Sequence, residues 1–145
     1  MYPINFTIGD WSDDGHGRQK QFKVISSEPV EVVREAYWLA EKKTKFKLGS
    51  VCSNSYDNAL KSSEFEGLRS LGFPFTSEEI HEHTENEFVD IDPARMLDIL
   101  LWFLKQGNEQ LFFDIVPADA IPSFHFSGYD KKKRHIPQFG YGLFD

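Results

Sequence analysis

The chain has 145 residues, a single cysteine and a net charge of −7, with 40% of its residues apolar and 15% aromatic. This size and apolar content suit one domain around one core, since single cores are commonest at about 100–150 residues, and they exclude global disorder. Cys52 alone excludes an intramolecular disulfide and a thiolate metal cluster. The longest apolar run, Ile99 to Leu104, falls far short of the roughly 20 residues a membrane helix needs. Met1 to Phe6 lacks the basic-then-apolar order of a secretory signal, so a soluble cytoplasmic protein is expected.

Tyr2 to Ile8 places Ile4, Phe6 and Ile8 on one face of a strand, and Gln19 to Ser26 repeats the two-residue period with Phe22 and Val24. An antiparallel pair follows. Its connection, from Asp10 to Arg18, is longer than chain reversal requires. Pro29 to Phe46 reads as a helix, with Val30, Val33, Tyr37 and Ala40 on one stripe and Lys42, Lys43 and Lys45 near its negative end. Leu48 to Asn58 reads as loop, with at most a weak strand around Val51 and Cys52. Leu60, Phe65, Leu68 and Leu71 then predict a helix over Ala59 to Leu71, closed by Gly72.

Thr76 and Glu79 match a capping box, which predicts a short helix beginning there, and Glu87 to Ile91 reads as a short strand. Asp92 to Gln106 is a helix with Pro93 at its first position, Gly107 as its stop, and apolar residues over more than half its circumference. Gln110 to Val116 is a strand by its aromatic and β-branched content. The aromatic tail offers short strands at Ser123 to Phe126 and at Phe139 to Phe144, docked to close a sheet edge. The order β-β-α-α-β-α-β-β predicts a single α+β domain spanning residues 1–145, with a mixed or antiparallel sheet packed against two or three helices.

Three segments carry candidate chemistry. Asp10-Trp11-Ser12-Asp13-Asp14-Gly15-His16-Gly17 concentrates carboxylates and an imidazole among glycines. Asp10, Asp13 and His16 could ligate a divalent cation, joined by His81 and His83 if the segments met. The same residues also satisfy the backbone of an ordinary turn. In a strand, His81 and His83 would share a side and could chelate; in a helix they diverge. Cys52 lacks a nucleophile motif around it and reads as a small buried hydrophobe.

The acidity is local. Between Pro74 and Asp98 stand Glu78, Glu79, Glu82, Glu85, Glu87, Asp90, Asp92 and Asp98, against Arg95 alone, and the rest of the chain balances acids with bases. Such a segment is either a solvated face or a docking surface for a basic partner. Phe124-His125-Phe126 and Phe139 to Phe144, with Lys131 to His135 between them, could stack on bases and contact phosphates, but the overall acidity argues against nucleic acid. The favoured expectation is a small acidic interaction protein of inhibitor, immunity or adaptor type, requiring no cofactor. It would bind a basic protein surface through Glu78, Glu79, Glu82, Glu85 and Glu87, with Trp11 and Asp14 contributing from the first loop. The alternative is a metal-dependent hydrolase centred on the Asp10–Gly17 loop and its divalent metal ion.

Overall fold

The computed structural model describes residues 1–10, 18–48, 59–116, 124–136 and 139. Strands β1 (Tyr2–Asp10) and β2 (Arg18–Ser26) pair antiparallel from Tyr2↔Ser26 to Asp10↔Arg18. Ile4, Phe6, Ile8 and Val24 are fully buried, as the alternation predicts, but Asn5 and Thr7 on the other face are buried as well, so β1 is covered on both sides rather than half-buried. Helix α1 (Val30–Thr44) follows, with Pro29 at its N-cap and Lys45 closing it in a left-handed conformation.

Ala59–Lys61 forms a short strand, β3, and helix α2 (Ser62–Leu71) begins only after it. The periodicity that predicts a helix from Ala59 is ambiguous here, because Leu60 is buried either way. Antiparallel pairing with β4 (Phe88–Asp90) decides it for strand. The Glu64 side chain then accepts the Lys61 N–H at 2.9 Å and fixes the helix start. Gly72, at φ 107°, ends α2 as expected. Helix α3 (Ser77–Glu85) starts at the predicted capping box.

Helix α4 (Pro93–Gly107) has Pro93 at its first position, though the Asp92 carboxylate makes no capping bond. Its buried face includes Met96, Leu97, Ile99, Leu100, Phe103 and Leu104, and it packs along α1. Gly107 is the last helical residue and serves close packing rather than chain reversal. A Cβ there would collide with the Ala36 carbonyl oxygen and lie 2.7 Å from the Ala40 nitrogen, so no larger side chain fits at this crossing.

The strand expected over Gln110 to Val116 shortens to β5 (Phe113–Ile115), and the one at Ser123 to Phe126 becomes β6 (Phe124–His125). Among the described residues the main sheet has four strands in the order β5-β2-β1-β6. It is mixed: β6 runs parallel to β1, and β5 antiparallel to β2. Beyond it, β7 (Gly128–Tyr129) and β8 (His135–Ile136) form a hairpin the sequence did not announce. Of the segment Phe139 to Phe144 only Phe139 is described, and it bridges Ile8 of β1.

The core lies between sheet and helices and is strongly aromatic. Phe6 stacks on Phe126 at 4.9 Å between ring centroids, while Tyr37 meets Phe103, Phe126 and Phe139 edge-on. The fold is α+β with a mixed sheet. No helix among the described residues is long and apolar enough to cross a membrane.

Candidate functional site: an acidic helix pinned by arginine

Helix α3 has no fully buried residue, with Ile80 partly buried against the core, so much of its position comes from specific contacts. The first is the capping box: the Thr76 hydroxyl accepts the Glu79 N–H at 3.1 Å, and the Glu79 carboxylate accepts the Thr76 N–H at 2.8 Å. The second is Arg95 of α4. Its Nη2 and Nε donate to the two carboxylate oxygens of Glu79 at 2.8 and 3.0 Å, a forked pairing with defined geometry. Nη2 also donates to the Pro74 carbonyl at 3.0 Å, and the guanidinium lies 4.7 Å over the Phe73 ring. Asp98 approaches Nη1 at 3.4 Å. Burial pushes the Glu79 carboxyl up, but hydrogen bonds and charge from Arg95 and the Thr76 N–H outweigh it and hold it below its usual range.

The third contact is an aromatic stack. His83 lies flat on Phe65 of α2, with ring centroids 4.0 Å apart and planes 15° from parallel, and Phe75 closes one side. The imidazole Nδ1 is buried and has no hydrogen-bond partner among the described residues. Burial lowers the pKa of His83, opposed by the charges of Glu82, Glu79 and Glu66. His83 is therefore a docking ring.

The opposite face of α3 carries the free charge. Glu78, His81, Glu82 and Glu85 follow the i, i+3, i+4, i+7 spacing of one helical stripe, and all are exposed. Ser77, Glu78, His81 and Glu82 line a shallow depression of about 350 Å³. Glu87 is exposed just past the helix, where its carbonyl accepts the Ser62 N–H at 2.9 Å. Glu78, Glu82, Glu85 and Glu87 form no ion pair among the described residues. Glu79, grouped with them by composition, is turned inward and engaged.

The helical geometry also separates His81 from His83. Two positions on an α-helix lie about 200° apart, so His81 faces solvent while His83 faces Phe65. The segment forms a helix rather than a strand, so the two rings diverge and share no side. Among the described residues no three His, Cys, Asp or Glu side chains converge as metal ligands. Trp11, Asp13, Asp14, His16 and Cys52 lie outside the described residues. Asp10 ends β1 opposite Arg18, its side chain likewise outside them.

Composition left Arg95 and the Phe65–His83 stack without a role, although both organise the site. Arg95 did carry a signal, as the lone cation within the acidic segment. No protein-family model, no curated protein and no solved structure matches this chain, and the site is read from its own residues.

Proposed function

We infer that this protein is a small acidic binding module that docks onto a basic surface of another protein through the outward stripe of α3. One observation carries the reading. Arg95 takes up Glu79 and Asp98 on the inner side, while Glu78, Glu82 and Glu85 point outward, exposed and free of ion pairs among the described residues. A stripe of one sign on a pinned helix steers association with a complementary surface and sets its register. Glu87 extends the stripe, and His81 stands exposed within it.

The test is capture of partners at low and high salt by the wild type and by the triple variant Glu78→Lys, Glu82→Lys, Glu85→Lys. These positions are exposed, so the fold is retained and checked by circular dichroism. Partners held by the wild type at low salt are expected to be released by high salt and absent from the variant. Equal capture by both proteins overturns the reading.

A further inference from the structure

The β7–β8 hairpin displays a second charged surface, of opposite sign, built on α1. Its turn is held by Asp130, which is only 8% exposed. One oxygen of that carboxylate accepts the Lys132 and Arg134 N–H groups at 2.9 and 2.8 Å. The other accepts Arg134 Nε at 2.8 Å and the Trp38 indole N–H at 3.2 Å. Arg134 reaches on to Glu35 of α1 at 2.7 Å and lies 4.9 Å over the Trp38 ring. The hairpin is thereby fixed to α1, and its inward charges are used up.

What projects is Lys131-Lys132-Lys133, all exposed and without an ion pair among the described residues. Lys133 sits at φ 61°, the left-handed position that a glycine would fill with less strain. Directly beside the turn, Tyr129 and His135 are cross-strand partners, with ring centroids 5.0 Å apart. Tyr129 is 69% exposed, so its ring face is offered to solvent.

We propose that this hairpin binds single-stranded nucleic acid, the lysines contacting phosphates and Tyr129 with His135 stacking on a base. Three projecting cations on a preformed turn beside an exposed aromatic pair are the combination such strands select. An acidic peptide would use the lysines but leave the tyrosine face without purpose. The acids beside the hairpin, Asp130 and Glu35, are paired with Arg134, and the acids of α3 sit on a different element anchored through α4. Fields are also screened within about 10 Å at ordinary salt.

The experiment is fluorescence anisotropy of a labelled oligothymidine with the full chain over a salt series. Three phosphate contacts to a single strand predict a log–log slope of about −2. Lys131→Gln, Lys132→Gln, Lys133→Gln is expected to flatten the slope, and Tyr129→Ala to weaken binding at least about fivefold at every salt concentration. Unchanged circular dichroism separates both effects from misfolding. No binding at low salt, a slope untouched by the lysine variant, or affinity untouched by Tyr129→Ala overturns the proposal. So does equal competition by polyglutamate, which would assign the surface to acidic peptides.

Discussion

Arg95 and Arg134 do the same work at two places on the molecule, and the outcomes have opposite sign. Each guanidinium bonds a carboxylate on a peripheral element and lies over an aromatic ring of the body: Glu79 and Phe73 for Arg95, Asp130 and Trp38 for Arg134. Each thereby removes the inward charges from play. What remains outward is acid on α3 and base on the hairpin. The seating differs as well. Asp130 is buried with both oxygens saturated, whereas α3 has no fully buried residue and leans on a histidine whose Nδ1 has no partner among the described residues. Pinning by arginine explains how a small chain keeps two unlike surfaces from neutralising one another, and it marks α3 as the looser of the two.

Both hubs stand on the α1–α4 contact, because Glu35 and Trp38 come from α1 and Arg95 from α4. Gly107→Ala should therefore give the largest effect. Its methyl group meets backbone at Ala36 and Ala40, and overpacking against backbone costs about 2–3 kcal/mol even after the helical preference for alanine is credited. Thermal unfolding should fall by about 5–10 °C, with faster amide exchange in both α3 and the hairpin. An unchanged melting temperature would show that the helices part easily here.

The arginines themselves separate the two regions. Arg95→Ala strands the Glu79 carboxylate and frees the Pro74 carbonyl, at about 1–2 kcal/mol given their partial exposure. Hydrogen exchange over residues 77–85 should accelerate roughly tenfold while the hairpin stays protected. Arg134→Ala should do the reverse, loosening 128–136 and leaving α3 alone. If either substitution loosened both elements, α3 and the hairpin would not be held independently.

Sequence pattern reached the framework because its signals are dense. The alternation of Ile4, Phe6 and Ile8, the apolar stripes of α1 and α4, and the Thr76–Glu79 box each repeat one local rule over several residues. Two short pieces, β3 and the β7–β8 hairpin, escaped it. Leu60 satisfies a strand and a helical stripe equally, and only a distant partner, Val89, decides between them. The β7–β8 turn carries Lys133 where a glycine would have signalled it, and its stability comes from a side chain, Asp130. In the acidic segment, composition gave the sign of the surface but not its inner and outer sides. That division depends on Arg95 and Phe65, which arrive from other elements.

Acid should release α3 in two stages, the first while the hairpin still holds, because the depressed Asp130 carboxylate begins to lose its contribution only below 3.8. His83 binds its proton less readily folded than unfolded, so its contribution is whole above its ordinary value of 6.5 and declines as pH falls below it. Glu79 is likewise depressed, and its contribution begins to fade only below 4.5. His83→Phe keeps a ring against Phe65 and removes the upper stage. Melting curves of the two proteins should run parallel at neutral pH and diverge below 6.5, by less than about 1 kcal/mol for a half-buried group. Parallel curves down to pH 5 would exclude His83 as the acid-sensitive contact.

The smallest effect concerns the two lysines with positive φ, Lys45 at 60° and Lys133 at 61°. Replacing either by glycine relieves about 1 kcal/mol of left-handed strain and returns part of it as unfolded-chain entropy, for a net gain of about 0.5 kcal/mol. The stability changes should match, since the backbone problem is the same at the end of α1 and in the hairpin turn. Oligonucleotide affinity should not. Lys133→Gly removes one of the projecting cations and should cut the salt slope by about 0.7, while Lys45→Gly leaves it unchanged. Equal slopes for the two variants would mean that the strained lysine in the hairpin carries no charge-dependent role, and the contrast between the two arginine-pinned surfaces would reduce to architecture alone.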